Sequence, residues 1–233
     1  MDLRIALAGN PNSGKTTLFN ALTGSNQYTG NWPGVTVEKK EGKLKGYGKG
    51  ETTVTVVDLP GIYSLSPYTL EEVVSRKYLL EEKPEAIINI VDGTNLERNL
   101  YLTTQLKETG IPMVTAVNMM DLVRKNKEEL NLAQMEKDLG CPVVEISALK
   151  EEGIERLIET AVSVAKKAEP SRRIVFDEKL ESVISAIETK LDGLLPPDHA
   201  AWYAIKVFER DEKVVEQLCL TASLKRQIEE YIS

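Results

Sequence analysis

The sequence predicts a doubly wound α/β domain with a mostly parallel sheet and one antiparallel edge hairpin, followed by a small all-helical domain. Three observations predict this fold. Short apolar, β-branched runs alternate with amphipathic stretches up to Lys167, as they do in βαβ units. A glycine-rich segment from Gly9 to Thr16 lies between the first apolar run and the first amphipathic stretch. Beyond Lys167 only helical periodicity remains.

The apolar runs predict five strands, at Arg4 to Ala8, Thr53 to Asp58, Ala86 to Asp92, Pro112 to Asn118 and Pro142 to Ser147. The amphipathic stretches predict five helices, at Lys15 to Leu22, Leu70 to Glu82, Leu96 to Thr109, Leu132 to Leu139 and Ile154 to Lys167. Three of these helices should stop at a glycine, at Gly24, Gly110 and Gly140.

The segment from Val35 to Thr53 has a different pattern. Its first residues alternate, and glycines follow at Gly46, Gly48 and Gly50. This pattern predicts an antiparallel hairpin at the edge of the sheet. Its lysines are typical of a solvated edge strand, where charge prevents pairing with another chain.

A polar stretch containing Pro170 predicts the domain boundary, with the first domain at residues 1–168 and the second at 169–233. In the second domain, six apolar residues fall on one helical stripe: Leu180, Val183, Ile184, Ile187, Leu191 and Leu194. Further helices are predicted at Ala200 to Glu209 and Val214 to Tyr231.

Composition excludes several classes of protein. The 233 residues are 42% hydrophobic, which excludes a disordered chain, and the formal charge of -7 has the wrong sign for nucleic-acid binding. His199 is the only histidine, so serine-type triads and di-histidine zinc sites are excluded. The spacing of Cys141 and Cys219 predicts reduced, buried thiols. No apolar run approaches the ~18 residues of a membrane span.

The glycine-rich segment matches GxxxxGK[ST], and its strand-to-helix context predicts a phosphate-binding loop rather than a plain glycine turn. Backbone N–H groups and the helix N-terminus should bind phosphate oxygens. Lys15 should reach the β- and γ-phosphates, and the Thr16 hydroxyl should ligate Mg²⁺. The predicted nucleotide contacts of this segment are Gly9, Asn10, Pro11, Asn12, Ser13, Gly14, Lys15, Thr16 and Thr17.

A second motif follows the strand that ends at Asp58. In this motif, Asp58 is predicted to meet the magnesium and the Gly61 amide to sense the γ-phosphate. The residues predicted to contact nucleotide here are Asp58, Leu59, Pro60 and Gly61.

Two further motifs predict a base site. Asp121 should accept two hydrogen bonds from guanine N1–H and the 2-amino group, which adenine lacks in that arrangement. Met119 stands where related proteins have lysine and should lay an apolar stem over the base. The Ala148 amide should donate to guanine O6. The two motifs comprise Asn118, Met119, Met120 and Asp121, then Ser147, Ala148 and Leu149. All four motifs fall at strand ends, where doubly wound sheets bind ligands, and in the order that a P-loop GTPase requires.

Between the first two motifs lies a segment predicted to contact nucleotide, comprising Gly34, Val35, Thr36, Val37 and Glu38. Within it, Thr36 is the expected second hydroxyl ligand of Mg²⁺. The sequence here becomes specific: NWPGVTVEKKEG, GNPNSGKT, DLPGIYSL and ERNLYL together resemble the cytosolic G domain of the ferrous iron transport protein B family. The similarity covers about Leu3 to Lys167.

This resemblance implies a GTP-hydrolysing switch for Fe²⁺ uptake, followed by a helical, dissociation-inhibitor-like domain. It also implies a membrane transport domain in the full-length protein, so we expect a soluble fragment from the cytoplasmic face of the membrane. The expected partners are GTP, GDP and that membrane domain, with no nucleic acid, and a homo-oligomer stays open.

The resemblance also bears on hydrolysis. Ile62 stands where Ras-like proteins have a water-orienting glutamine. The residues expected to act in catalysis are Lys15, Thr36, Gly61 and Gly34, with backbone groups of the Gly34 to Thr36 segment positioning water. Glu71 and Glu72 are a weaker alternative, because carboxylates at a helix start are also favoured by the helix dipole.

Related GTPases with asparagine at position 12 use K⁺ to bridge phosphates, so Asn12 is a hypothetical K⁺ ligand, the alternative being a turn-forming asparagine. Tyr28 and Trp32 either fold over the nucleotide or anchor their loop. Turnover should be slow, on the order of 10^-4 to 10^-2 per second. The alternatives are a GTPase of the translation or ribosome-assembly group, a phosphotransferase, and a GTP-binding module with negligible turnover.

Overall fold

The apolar runs fold into one sheet in a computed structural model that describes residues 1–24, 27–47, 52–66, 68–169, 175–195 and 200–232. The described strands are β1 (Asp2–Gly9), β2 (Gln27–Asn31), β3 (Glu38–Lys43), β4 (Thr53–Asp58), β5 (Ala86–Asp92), β6 (Met113–Asn118) and β7 (Val143–Glu145). Their order across the sheet is β2-β3-β4-β1-β5-β6-β7. Pairing is parallel from β4 to β7 and antiparallel at β2-β3 and β3-β4.

Helices cover both faces of this sheet, as a doubly wound fold requires. They are α1 (Lys15–Thr23), α2 (Leu70–Lys77), α3 (Leu96–Glu108), α4 (Met120–Lys125), α5 (Leu132–Leu139) and α6 (Ile154–Lys167). Side-chain alternation along β1 explains the two-sided core. Leu3, Ile5 and Leu7 pack in one cluster with α1 and α6, whereas Ala6 and Ala8 pack in the other with α2 and α3. The predicted fold class is confirmed.

The chain divides into two compact units. The first is Met1–Lys107 with Ile111–Arg172, and the second is Glu108–Gly110 with Arg173–Ser233. His199, Gly48, Gly50 and the predicted break around Pro170 lie outside the described residues. Gly24, Gly110 and Gly140 all have positive φ at helix ends, as predicted.

Three predicted elements of the first unit are wrong in part. The edge strand is β2, because β3 pairs on both sides, with β2 and β4, so the segment from Val35 to Thr53 is not itself the edge hairpin. The helix predicted to reach Glu82 changes to π-helical geometry over Tyr78–Glu82. The last strand stops at Glu145, and Ser147 instead forms an isolated bridge with Glu152.

In the described residues of the second unit after Arg173, every regular element is a helix. The helices are α7 (Glu178–Leu191), α8 (Ala200–Phe208), α9 (Glu212–Gln217) and α10 (Ala222–Ile232). The single helix predicted from Val214 to Tyr231 is two helices, because the chain turns at Cys219, whose φ is 48°. Three stripe residues, Ile184, Ile187 and Leu191, are buried as predicted, but Leu194 is exposed.

The two cysteines differ in environment. Cys141 is buried, whereas Cys219 is exposed, so the prediction of two buried thiols is wrong for Cys219. Burial raises the pKa of the Cys141 thiol, and the hydrogen-bond contact with Thr115 opposes this only in part. Among the helices of the described residues, none combines the length and apolarity needed to cross a membrane.

Candidate nucleotide-binding site

The phosphate loop connects β1 to α1. Gly14 has a φ of 88°, and a Cβ there would lie 2.2 Å from the Asn118 amide nitrogen, so only glycine fits. That nitrogen donates to the Ser13 carbonyl at 2.8 Å. Helix α1 has no side-chain cap. Its first N–H groups therefore remain available to an anion, as expected of a phosphate loop.

The phosphate-loop lysine is held by an aspartate. Strands β1 and β4 pair in register Leu7 to Asp58, which brings Asp58 beside the loop. Lys15 Nζ lies 2.5 Å from Asp58 Oδ1, with the two side chains only 11% and 8% exposed. Burial raises the pKa of Asp58, and the charge of Lys15 opposes this rise. The predicted phosphate ligand and the predicted metal ligand thus neutralise each other.

The segment after Asp58 packs against the phosphate loop. The Ile62 N–H donates to the Gly9 carbonyl at 3.3 Å. A Cβ at Gly61 would meet the Pro11 backbone at 3.3 Å, so the two segments approach closely here. Ile62 itself is 3% exposed and belongs to the core. Its side chain therefore serves packing.

Glu72 has a structural partner at the start of α2. Its carboxylate accepts from the Thr69 N–H at 3.0 Å, and its own N–H donates to the Thr69 hydroxyl at 3.2 Å. This reciprocal pair is a capping box, which stabilises the helix start. The arrangement favours the helix-terminus reading of this carboxylate over a catalytic one.

The base motifs meet at a cavity of about 230 Å³. Its lining is Gly14, Thr17, Asn118, Met119, Asp121, Leu122, Ser147, Ala148 and Leu149. Eight of these nine residues were predicted to contact nucleotide, and the exception is Leu122. Leu122 lies one residue beyond the Asn118–Asp121 motif, on α4, a short helix that no periodicity signalled. Of the predicted base contacts, Met120 does not line the cavity, because its side chain is buried in the core at 5% exposure.

Asp121 is held as an ionised acceptor. The Ser147 hydroxyl donates to its Oδ1 at 2.9 Å, and Lys150 Nζ lies 3.6 Å from its Oδ2. The hydrogen bond from Ser147, more than the charge of Lys150, lowers the pKa of Asp121. Lys150 was not predicted as a site residue, although it directly follows the Ser147–Leu149 motif.

Asn118 connects the phosphate loop to the base cavity. Its amide donates to Ser13, and its Oδ1 accepts from the Ala148 N–H at 2.9 Å. Guanine O6 would therefore have to share the Ala148 N–H with Asn118. Met119 has a φ of 63°, a left-handed conformation that begins α4 beside the cavity.

The segment that carries Thr36 is closed on itself. The Trp32 N–H donates to the Val37 carbonyl at 2.9 Å, and the Val35 N–H donates to the Trp32 carbonyl at 3.2 Å. Trp32 is 8% exposed and packs its ring 5.3 Å from that of Tyr78. It therefore anchors its loop and does not cover the nucleotide site. Thr36 and Tyr28 are exposed.

The oxygen donors at the phosphate loop fit a hard cation. Thr16 is exposed and the Asp58 carboxylate lies beside Lys15; hydroxyl and carboxylate oxygens are ligands that Mg²⁺ prefers. Asn12 is exposed with a φ of 66°, and the buried Asn10 Oδ1 has no hydrogen-bond partner among the described residues. The described part of the chain contains no group of three or more His, Cys, Asp or Glu that could hold a metal ion.

Comparison with known proteins gives consistent matches along the chain. Residues 3–161 match the family model "Ferrous iron transport protein B", and residues 176–233 match "FeoB cytosolic helical domain". The chain is 41% identical over 213 residues to an Fe(2+) transporter FeoB of Escherichia coli (strain K12), covering 90% of this chain and 27% of the relative. It is 39% identical over 219 residues to a FeoA/FeoB fusion protein of Porphyromonas gingivalis, covering 91% and 26%. The chain thus spans about a quarter of the length of these relatives.

Solved structures of NFeoB are similar to this structure over nearly the whole chain. One is an S. thermophilus NFeoB mutant bound to mGDP, with a TM-score of 0.93, 45% identity, and coverage of 100% of this chain and 88% of that one. Another is S. thermophilus NFeoB bound to GDP.AlF4- and K+, with a TM-score of 0.87, 46% identity, and coverage of 99% and 88%.

Proposed function

The chain belongs to the ferrous iron transport protein B family, whose G domain is a P-loop GTPase, and from this premise we propose that it is a slow, cation-assisted GTP switch for a ferrous iron transporter. One observation carries the proposal. Asn118 is hydrogen bonded both to the phosphate loop at Ser13 and to the wall of the base cavity at Ala148. The phosphate loop and the base cavity are therefore joined by one side chain and form a single continuous site.

Guanine recognition is assigned to Asp121. The carboxylate is ionised near neutral pH, and the hydrogen bond from Ser147 lowers its pKa further, so both oxygens can accept from base N–H groups. A site built on such bonds can reject an analogue that lacks them by roughly 10^4 to 10^5. Asp121 and Gly14 of the phosphate loop line the same cavity. One nucleotide can therefore place its base at Asp121 and its phosphates at the loop.

Phosphate binding requires an exchange of partners. Lys15 must leave Asp58 to reach the β- and γ-phosphates, and Asp58 is then released toward the cation site with Thr16 and Thr36. Mg²⁺ bound there would neutralise phosphate charge and fix the phosphate oxygens. We propose that the exchange is favourable because the phosphates supply more negative charge to Lys15 than one carboxylate does.

Water positioning is assigned to the backbone. Ile62 is packed in the core and Glu72 is occupied in the capping box, so neither side chain is placed to orient water. We propose that Gly34, Thr36 and Gly61 hold the attacking water and the γ-phosphate when the switch segment closes. With water held by the backbone and no side chain assigned as base, turnover should be on the order of 10^-4 to 10^-2 per second. Asn12 is proposed to ligate K⁺, which would supply positive charge at the phosphates.

The larger protein is proposed to be an Fe²⁺ transporter, with this chain on the cytoplasmic side and GTP state controlling uptake through the membrane domain. We propose the G domain at residues 1–168 and the helical domain at 169–233. Support comes from the two family models, which match on either side of this boundary. The described residues offer no clustered iron ligands, so Fe²⁺ is assigned as the cargo of the remaining part.

The test is steady-state GTP hydrolysis with Mg²⁺ in matched KCl and NaCl, comparing the wild type with Asn12→Ala. We expect at least about tenfold acceleration by K⁺ in the wild type and none in the variant, with GDP affinity retained in both. Equal slow rates in both salts would assign Asn12 to a turn, which its positive φ suits. Tight GTP binding without phosphate release would instead indicate a binding module and overturn the GTPase proposal.

A further inference from the structure

Helix α3 begins with the ERNLYL motif, at Glu97 to Leu102, which supplies none of the predicted nucleotide contacts. The start of this helix nevertheless lies against the phosphate loop. Asn10 of the loop is 2% exposed, and its Nδ2 donates to the Arg98 carbonyl at 3.2 Å. The helix is also attached to the end of β5, where the Asp92 N–H donates to Asn99 Oδ1 at 3.2 Å. The backbone at Arg98 therefore has a fixed place beside the loop.

The same face of α3 holds the segment that follows Gly61. The guanidinium carbon of Arg98 lies 4.2 Å from the centroid of the Tyr63 ring. Seven residues further along α3, Gln105 Oε1 accepts from the Leu65 N–H at 2.7 Å. Residues with this spacing lie on one face of a helix. Arg98 and Gln105 thus hold one stretch of chain at two points.

The two contacts differ in burial. Gln105 is 3% exposed, so its hydrogen bond belongs to the packed interior. Arg98 is exposed, and Tyr63 is 39% exposed. An exposed cation over an aromatic ring shifts an equilibrium by only about 3- to 5-fold. A contact of this strength can bias the position of a loop without being needed for folding.

The segment that begins at Gly61 also touches the phosphate loop directly. The Ile62 N–H donates to the Gly9 carbonyl at 3.3 Å, which is longer than a typical N–H···O bond. A Cβ at Gly61 would lie 3.3 Å from Pro11 Cα. The phosphate loop, this segment and the start of α3 therefore touch one another pairwise. Arg98 contacts both of the other two, the loop through its carbonyl and the segment through its side chain.

We propose that Arg98 is a positioning residue that favours GTP over GDP by acting through Tyr63. This inference rests on the proposed function, in which the Gly61 amide meets the γ-phosphate. By lying on the Tyr63 ring, Arg98 holds Gly61 at the phosphate loop before GTP binds. Less conformational freedom is then lost when the γ-phosphate is bound. GDP has no γ-phosphate and therefore gains nothing from this contact.

The test measures the affinities of the whole chain for GDP and for a non-hydrolysable GTP analogue, both with Mg²⁺, and kcat/KM for GTP. Arg98→Gln and Tyr63→Leu should each lower the analogue affinity and kcat/KM about 3- to 5-fold and leave the GDP affinity unchanged. The double variant should lose no more than either single variant, because both changes remove the same contact. Arg98→Lys keeps a cation and Tyr63→Phe keeps a ring, so each should stay within about twofold of the wild type.

Two matched controls remove the same side chains elsewhere. Arg156→Gln, at an exposed arginine of α6, and Tyr101→Leu, at an exposed tyrosine of α3, should change neither affinity. Equal losses of GDP and analogue affinity in Arg98→Gln would indicate a general structural role and overturn the proposal. Losses that multiply in the double variant would also overturn it, because the two side chains would then act separately.

The direction of the effect is decisive as well. Unchanged analogue affinity in Arg98→Gln overturns the proposal. A higher analogue affinity does so too, since the contact would then hold Gly61 away from the phosphates. If the wild type releases no phosphate, the GTPase proposal fails, and the ratio of analogue to GDP affinity still decides the role of Arg98.

Discussion

Lys15 Nζ lies 2.5 Å from Asp58 Oδ1 in a largely buried ion pair. In the exchange proposed above, each of these residues is released by the other when nucleotide binds. The two charges compensate each other in this largely buried position, where an unpaired charge would be costly. If the proposed exchange takes place, the affinity for phosphate depends on the strength of this ion pair.

The first prediction concerns this pair. Asp58→Asn should raise the affinity for GDP in Mg²⁺-free buffer by about 3- to 10-fold, because Lys15 no longer leaves a carboxylate. The same variant should lose at least about tenfold in Mg²⁺-dependent hydrolysis. Asp92→Asn is the control, since that carboxylate, at the end of β5, accepts from Thr94. Weaker Mg²⁺-free binding in Asp58→Asn, measured by calorimetry, would contradict the exchange.

The second prediction concerns base selectivity. Asp121→Asn should weaken GDP binding at least about 100-fold, because a neutral amide replaces the charged acceptor and its NH₂ group faces the 2-amino donor of guanine. The amide NH₂ of the new asparagine should instead donate to the 2-oxo group of xanthine. The affinity of this variant for xanthosine diphosphate should therefore rise. Lys150→Ala, which removes only the more distant cation at 3.6 Å, should change GDP affinity by less than about fivefold. GDP affinity unchanged in Asp121→Asn would remove this residue from the base site.

The third prediction separates backbone strain from steric overlap. Gly14 and Gly46 have similar φ values, 88° and 81°, but a Cβ at Gly46 would meet nothing within 4 Å. Gly46→Ala should lower the free energy of unfolding by about 1 kcal/mol. Gly14→Ala should lower it by about 2 to 4 kcal/mol, because the new methyl displaces the Asn118 amide. Urea unfolding of both variants measures the difference, and equal losses would refute the overlap.

The fourth prediction assigns Glu72 to helix capping. Glu72→Gln retains an acceptor oxygen for the Thr69 N–H. It should therefore leave the free energy of unfolding unchanged and the hydrolysis rate within about twofold of the wild type. Thr69→Ala should cost about 1 kcal/mol of unfolding free energy, as loss of an N-cap does. A large fall in turnover for Glu72→Gln at unchanged melting temperature would show instead that the carboxylate acts in hydrolysis.

The fifth prediction concerns the thiols. Cys219 is exposed, whereas burial raises the pKa of Cys141 and keeps its reactive thiolate scarce. Titration with an aromatic disulfide reagent at mildly alkaline pH should modify one thiol rapidly in the native chain and two in denaturant. Cys219→Ser should abolish the rapid phase. A rapid phase that persists in that variant would mean that Cys141 is accessible.

Much of the fold was predictable because its signals are local. The strands β1, β4 and β5 and the helices α1, α3, α5 and α6 follow from apolar periodicity and glycine stops, which act within a few residues. The α4 helix escaped prediction because six residues carry little periodicity. The edge strand β2 was missed because its exposed, polar residues have no apolar alternation and gain their order by pairing with β3.

The sequence by itself determined the fold class, the family and the candidate residues of the nucleotide site, since each depends on residues adjacent in the chain. The tertiary structure alone decided which of these residues meet. It paired Lys15 with Asp58, placed Asn118 between Ser13 and Ala148, and buried Trp32 against Tyr78. These contacts join residues 30 to 105 positions apart in sequence, and they depend on strand register and packing, which no local pattern encodes.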